Sequence, residues 1–229
     1  MKKNYRYERK YMLTNSTAYI LKQRLSCFME LDQNNSEGPY RVSSLYFDDI
    51  YNSSFYEKLN GVVVRDKFRV RHYNGNMDKL RLELKHKRDT MLCKEGHFIT
   101  QEQYESMRRR DFGFMYGVPI NVFERFYLVH VLRQMRPVVL VEYDRYAYVQ
   151  RAGNIRVTFD SNIKASHPNS KYSRDVEVKK TIIEIKYDQF LPQLVLDALQ
   201  GVTFTQQLAL SKFTMAKQVV GHDRGCLLF

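Results

Sequence analysis

Residues 62 to 87 alternate with a period of two on both sides of a reversal, and that alternation limits what the chain can become. Val62-Val63-Val64-Arg65-Asp66-Lys67-Phe68-Arg69-Val70-Arg71 leads through Tyr73-Asn74-Gly75-Asn76 into Leu80-Arg81-Leu82-Glu83-Leu84-Lys85-His86-Lys87. Successive side chains of a strand point to opposite faces, so Arg65, Lys67, Arg69 and Arg71 share one face, with Val64, Phe68 and Val70 at or near the other. In the second half Arg81, Glu83, Lys85 and Lys87 share a face, and Leu80, Leu82 and Leu84 share its opposite. Asn74-Gly75 supplies residues that a hairpin reversal accepts cheaply. The stretch reads as a hairpin with one apolar and one densely cationic face. Two accounts of that face stand level on these residues alone. It is a solvated sheet surface, or it stays cationic because an anion neutralises it, since like charges facing each other across strands repel.

The chain has 229 residues, enough for a full core, and no Pro- or Ser-rich linker divides it, so a single domain spanning 1–229 is expected. Thirty-seven Lys and Arg against 25 Asp and Glu give a formal charge of +12, which favours an anionic partner: nucleic acid, a membrane surface, or a phosphorylated small molecule or polymer. Seventeen Tyr and 14 Phe suit a strand-rich fold. Cys27, Cys93 and Cys226 are too few and too far apart for a metal signature or disulfide framework, which points to a reducing interior. Met1-Lys2-Lys3-Asn4-Tyr5-Arg6 has no apolar run behind it and reads as neither signal peptide nor anchor, and no stretch is apolar enough to span a bilayer.

The same parity recurs along the chain. Residues 5–12 form a first strand with Arg6, Glu8 and Lys10 on one face; Thr14 or Asn15 caps a helix to about Met29 that buries Ala18, Leu21, Leu25 and Phe28. Residues 41–48 read as a strand, Asp48 and Asp49 as a turn cap, 50–58 as a short helix or irregular crossing, and 88–97 as a further strand or long loop. Thr100 with Gln103 forms a capping box for a helix through Met107, and the arginines at 108–110 read as its solvated end. Asn121 with Glu124 caps a helix to about Gln134 that turns Val122, Phe126, Val129 and Leu132 inward, and Pro137 stops it. A long strand over 138–149, with room for a bulge, turns at 151–154 into a strand over 155–160 that puts Arg156, Thr158 and Asp160 on one face. Residues 162–175 read as loop, 176–178 as a brief strand, and 181–187 as the last clear strand, presenting Glu184 and Lys186 together. Pro192 opens a short helix over 193–199, and a second runs from about 205 to 219, containing Ser211, Lys212 and Phe213 and ended by Gly221.

These elements define an α+β chain: an antiparallel sheet curled into a barrel, helices on its apolar outer face, and charged faces turned into a wet lumen. So many enclosed cations call for neutralisation. A string of phosphates supplies it, with arginines as forks and lysines as point charges. Glu83 and Glu184 then partner cations or hold a divalent ion that bridges phosphate oxygens, and oxygen ligands beside phosphate suit magnesium or manganese.

The set of segments Tyr7-Glu8-Arg9-Lys10-Tyr11, Ser44-Leu45-Tyr46-Phe47-Asp48, Phe68-Arg69-Val70-Arg71-His72-Tyr73, Leu82-Glu83-Leu84-Lys85, Val141-Glu142-Tyr143-Asp144-Arg145, Ile155-Arg156-Val157-Thr158-Phe159-Asp160, Ile183-Glu184-Ile185-Lys186-Tyr187 and Ser211-Lys212-Phe213 resembles the polyphosphate polymerase domain of the vacuolar transporter chaperone (VTC) family, within the CYTH-like triphosphate tunnel metalloenzymes. The resemblance implies an eight-stranded antiparallel tunnel and an enzyme that transfers the γ-phosphate of ATP to a growing polyphosphate chain. It implies that Lys10, Arg69, Arg71, Lys85, Arg145, Arg156 and Lys212 grip phosphates, with Ser211 helping at the last helix. Glu184 would hold Mn2+ or Mg2+, and Glu8, Glu83 and Lys186 would act as tunnel or supporting charges. Arg69, Arg71 and Arg156 are the expected main clamps, with Lys85 and Glu184 completing the catalytic set.

One departure stands out: tunnel hydrolases and cyclases open with Glu-x-Glu-x-Lys, whereas this chain has Arg6-Tyr7-Glu8-Arg9-Lys10, in keeping with the polymerase branch. The regulatory domain and membrane helices of eukaryotic members are lacking, which implies a bacterial, cytoplasmic form held at the inner face of the membrane only through a separate membrane-protein partner. The partners implied are ATP and inorganic polyphosphate. Hydrolysis of tripolyphosphate or nucleoside triphosphate, and binding of polyphosphate without turnover, stay open as alternatives. A nucleic-acid-binding role is disfavoured, because parity this strict across several strands describes an enclosure rather than an open face with stacking rings.

Overall fold

The computed structural model describes residues 7–88, 91–176, 180–201 and 211–221. The alternating segments become the strands β1 (Tyr7–Thr14), β3 (Tyr40–Asp48), β4 (Val64–Tyr73), β5 (Leu80–Arg88), β6 (Met91–Ile99), β7 (Arg136–Gln150), β8 (Ile155–Ser166) and β10 (Lys180–Tyr187), with the two-residue strands β2 (Glu30–Leu31) and β9 (Arg174–Asp175) added on β7 and β8. The helices are α1 (Asn15–Ser26), α2 (Ser53–Leu59), α3 (Gln101–Arg108), α4 (Asn121–Arg133), α5 (Gln193–Leu199) and α6 (Lys212–Gly221). All pairings are antiparallel, in the order β1-β10-β8-β7-β3-β4-β5-β6.

The expected barrel is corrected here: the path of pairing is open, because among the described residues the end strands β1 and β6 share no ladder. The sheet is nevertheless curled far enough that these two edges approach each other and that Glu8 on β1 lies 3.5 Å from Lys85 on β5. Register shifts on β7 at Glu142/Asp144 and on β3 at Tyr46/Phe47 accompany the curl, as β-bulges do. Alternation tells a strand which face to turn to the core. It does not tell the first strand whether it will meet the last, and that is where the expectation failed.

The convex face carries two apolar clusters. One joins Leu13, Val157, Phe159, Ile183 and Ile185 to Ala18, Leu21 and Leu25 of α1 and Val195 and Leu199 of α5. The other joins Leu45, Phe47, Phe68, Val70, Leu82 and Leu84 to Tyr104 and Met107 of α3 and Val122, Phe123 and Phe126 of α4. Phe126 is fully buried and meets Phe47, Phe68 and Phe112 at centroid distances of 5.3, 5.0 and 4.9 Å, so truncating it to alanine costs about 3–5 kcal/mol.

The concave face is not charged throughout. Phe213 and Ala216 of α6 pack with Met12, Val42, Val139, Val141, Ile163 and Ile182, so one helix lies inside the curl and the cations occupy the part it leaves.

Local signals fixed most element ends. Thr14 caps α1 by accepting the Thr17 N–H at 3.2 Å, and Thr100 and Gln103 form the reciprocal capping box at 3.2 and 3.0 Å. Asp48 and Asp49 accept the Ser54 and Ser53 N–H groups, each at 2.9 Å, as a cap for α2. Asn121 does not cap α4; its amide donates to Glu95 at 2.5 Å. Leu132 is exposed rather than inward. β8 continues to Ser166 through Asn162, whose φ is 52°, where a loop was expected. The brief strand falls at Arg174–Asp175 rather than at Val176. Residues 177 and 178, the start of the helix expected from 205, the first six residues and Cys226 lie outside the described residues. Among the described residues no helix is long and apolar enough to cross a membrane.

Candidate polyanion site

Strand parity delivers charged side chains from β1, β4, β5, β6, β7 and β10 to one cavity of about 410 Å3, closed in part by α2 and the start of α6. Among the described residues twelve lysines and arginines line it against two carboxylates, Glu8 and Glu184, so its field is strongly positive. No histidine lines it.

Three ion networks organise these charges. In the first, Lys10 lies 2.9 Å from Glu8 and 3.5 Å from Glu184, Lys186 contacts Glu184, and Lys85 and Lys186 stand 3.5 and 3.8 Å from Glu8 Oε1. Burial and the neighbouring Glu184 push Glu8 up, but Lys85, Lys10 and Lys186 outweigh them and hold it below the usual carboxylate range. Glu184, despite its burial, is held well below that range by Lys186, Lys10 and Lys85. Lys10 is raised: burial opposes its charge, and the two glutamates more than offset it.

In the second network, Arg69 donates through Nε to Glu83 at 2.8 Å and through Nη1 to the Tyr46 hydroxyl at 3.1 Å; Lys94 contacts the other Glu83 oxygen, and Arg71 lies 3.8 Å from Glu83. Glu83 is 2% exposed, and Arg69 and Lys94 keep it ionised against that burial. Opposite Glu83 in the ladder stands Gly96, where an added Cβ would lie 2.8 Å from the Leu82 carbonyl oxygen, so that strand position accepts no side chain.

In the third network, the fully buried Asp160 receives a two-pronged contact from Arg145 at 2.7 and 2.8 Å and holds Lys212 at 2.5 Å. Burial pushes Asp160 up, and Arg145 and Lys212 bring it below the ordinary value.

Lys58, Arg65 and Lys67 belong to none of these networks and, among the described residues, have no carboxylate at ion-pair distance. Lys67 donates to Ser211 Oγ at 3.2 Å and sits 4.5 Å over the Phe213 ring. Burial, with Lys85, Lys58 and Arg65 nearby, pushes Lys67 well below the ordinary lysine value, and burial with Arg65 and Lys87 brings Lys58 to about 8. Lys85 falls to about 7 through burial and the charge of Lys10, which the two glutamates only partly offset. Ser211 Oγ also accepts the Thr214 N–H at 3.4 Å, so the N-terminal end of α6 opens toward the cavity and its dipole adds to the positive field.

Ten of the expected site residues line the cavity together: Glu8, Lys10, Arg69, Arg71, Lys85, Arg145, Glu184, Lys186, Ser211 and Lys212. Glu83 stands behind Arg69 as its buried partner. Arg156 is not brought in: its guanidinium lies 2.9 Å from Asp32 and donates to the Tyr40 hydroxyl at 3.2 Å, although Lys186 is its ladder neighbour. Sequence reasoning passed over Lys58, Arg65, Lys67, Lys87, Lys94, Tyr46, Tyr143 and Asp160 as site residues. Arg65 and Lys67 shared the parity of Arg69, and Asp160 that of Arg156, so their signal was present. Lys94 needed the β5–β6 register, and Lys58 comes from a helix with no pattern to mark it.

Among the described residues no group of three or more His, Cys, Asp and Glu side chains is placed to hold a metal ion. The Glu8–Glu184 pair offers less than such a cage, but Glu8 Oε1 is buried and accepts no hydrogen bond. Two ionised carboxylates, one with an oxygen free of hydrogen bonds among the described residues, fit a hard divalent ion whose other ligands come from phosphate oxygens or water.

A curled antiparallel sheet with arginine forks and lysines over buried carboxylates defines a receptor for a multiply charged, oxygen-rich anion. The chain belongs to the VTC domain family, whose model matches residues 5–220. None of the curated proteins matches it. A crystal structure from Bacillus halodurans, described as a candidate adenylate cyclase, is similar with a TM-score of 0.57 at 11% identity, covering 92% of this chain and 96% of that one, and it shows a shared fold. Two proteins of Pyrococcus horikoshii give TM-scores of 0.49 and 0.48 at 12% and 11% identity, covering 93% and 94% of this chain and 97% and 99% of theirs.

Proposed function

We propose that this chain is a polyphosphate polymerase, a single-domain phosphotransferase that adds the γ-phosphate of ATP to a growing polyphosphate chain. The observation that carries the reading is the cavity, where cations without carboxylate partners stand beside an ionised carboxylate pair. Membership in the VTC family supports a polyphosphate-related activity.

In the reaction a terminal oxygen of the acceptor chain attacks the γ-phosphorus. The new P–O bond forms as the bond to the β–γ bridging oxygen breaks, and ADP leaves with that oxygen. The attacking oxygen is already ionised near neutral pH, so no side chain has to remove a proton, and the protein's task is alignment and charge neutralisation.

Arg69 and Arg71 act as the main clamps. Glu83 and Tyr46 fix the Arg69 guanidinium beforehand, so it needs little reordering when phosphate arrives. Lys10, Lys85 and Lys186 neutralise charge around the transferring group, Arg145 and Lys212 are held on Asp160 beside it, and Ser211 offers its hydroxyl at the start of α6. Arg156, engaged with Asp32 and Tyr40, is given no clamping role. Glu184, with Glu8, would hold Mn2+ or Mg2+, which when bound supplies further neutralisation of the phosphoryl oxygens.

The test is incubation with ATP and manganese followed by chain-length analysis. The expected outcome is a ladder of long chains with one ADP released per phosphate added. Orthophosphate and ADP without chains would replace the reading with hydrolysis, and polyphosphate binding without turnover would replace it with an accessory binding role.

A further inference from the structure

The two edges of the sheet meet without pairing. β1 and β6 approach each other yet share no ladder among the described residues. Among the described residues a side-chain contact reaches across from the neighbouring strand: Lys85 on β5, next to β6, lies 3.5 Å from Glu8 Oε1 on β1. That oxygen has no hydrogen-bond partner, so the link is an ion pair at a distance longer than a hydrogen bond.

A closed barrel admits a linear polymer only through its mouths, because entry through the wall would break a cooperative run of backbone hydrogen bonds. Here one line of the wall is held by side chains, and an arriving polyanion competes directly with Glu8 for Lys85. The cations next to that line favour such an arrival. Lys67 and Lys85 stand opposite each other in the β4–β5 ladder, Lys94 lies opposite Lys85 on β6, and Lys67 has no carboxylate partner among the described residues. Lysines in adjacent ladder positions cannot all carry their charge until an anion lies between them.

From this arrangement we infer that the site takes up internal segments of a linear polyphosphate sideways through the β1–β6 seam, without threading a free end. The inference rests on the reading of the cavity as a polyphosphate site and extends it to a class of ligand, polymers whose ends are occupied and which the site binds without elongating.

The test is competition against a short fluorescent polyphosphate by three long polymers: one with free ends, one with a bulky protein coupled to one terminal phosphate, and one with such a protein at both. The doubly blocked polymer is expected to compete within about threefold of the free one, measured per phosphate. The Lys67→Met variant removes a cation without stranding a carboxylate, so it should fold, and it should weaken all three by a common factor. Competition by the singly blocked but not the doubly blocked polymer would show that an end must thread and would overturn the inference. So would a doubly blocked polymer whose binding Lys67→Met leaves unchanged, since it would then lie on the outer surface. Failure of the free polymer to compete would instead overturn the polyphosphate reading itself.

Discussion

Binding of polyphosphate should draw protons into the protein, and the cavity sets how many. Before an anion binds, burial and the charge of Lys10 keep Lys85 at about 7, against 10.5 for an ordinary lysine. At pH 8 such a group is only about one-tenth protonated, and a phosphate oxygen beside it favours the ammonium, so Lys85 alone takes up about 0.9 proton. Lys58, at about 8, adds about half a proton, and Lys67, displaced in the same direction, adds to the total. Uptake of at least about one proton makes the affinity fall close to tenfold per pH unit above pH 8.

The sign for folding is the reverse. With folded pKa values below 10.5, the unfolded chain binds more protons between about pH 7 and 10.5, so these lysines favour the folded state as pH rises through that window and oppose it fully below about 7. Titration calorimetry with tripolyphosphate at pH 8, in two buffers of different ionisation enthalpy, measures the uptake directly, and Lys85→Met should remove about 0.9 of it. An uptake below about half a proton, or affinity and stability rising together with pH, would mean that these lysines are already charged before phosphate binds.

Three further outcomes follow from the ion networks. Asp160→Asn leaves Arg145 and Lys212 buried without their counter-charge and should cost about 3–5 kcal/mol in urea unfolding, part of it recovered by added polyphosphate; a loss within experimental error would mean that the network is not enclosed. Glu184→Gln should reduce metal-dependent turnover more than polyphosphate binding, and equal effects on both, or on neither, would remove Glu184 from its proposed role. Arg69→Ala should lower turnover by about 100-fold while Arg156→Ala lowers it by only a few-fold, because Arg156 is engaged with Asp32; comparing kcat for the two variants checks this, and the opposite order would return Arg156 to the main clamp.

What the sequence revealed, and what it hid, follows from the range of the forces involved. Parity is local, so the charged rows Glu8/Lys10, Arg69/Arg71, Glu83/Lys85 and Glu184/Lys186 could be read strand by strand, and the structure turns all of them to the concave face. Caps are local too, and Thr14, Thr100 and Asp48 behave as their neighbours dictate. Whether β1 meets β6 depends on accumulated twist over the whole sheet, which no segment encodes alone. The inner position of α6 was hidden for a related reason: an apolar stripe demands a partner but does not say which face of a sheet provides it. Arg156 shared every local feature of the clamps, and only the chain path that brings Asp32 beside it diverted it.

The buried carboxylates explain why so cationic a cavity can fold and still attract phosphate. Glu83 and Asp160 are almost wholly enclosed and hold arginines by short, directional contacts, so they fix the forks without presenting negative charge to the cavity. Glu8 and Glu184 do face the cavity, but Lys10, Lys85 and Lys186 surround them. Among the described residues Lys58, Arg65 and Lys67 have no such partners, so the positive charge that an arriving phosphate can draw out rises from the carboxylate pair toward α2 and the start of α6. On the polymerase reading this gradient orients the ligand. The body of the polymer lies where its phosphates replace missing counter-ions, and its reacting end lies at Glu8 and Glu184, where a divalent ion can be held and where the lysines are already committed. Reversing that orientation would move the reacting end away from the only carboxylates lining the cavity among the described residues, and so away from the divalent ion they would hold.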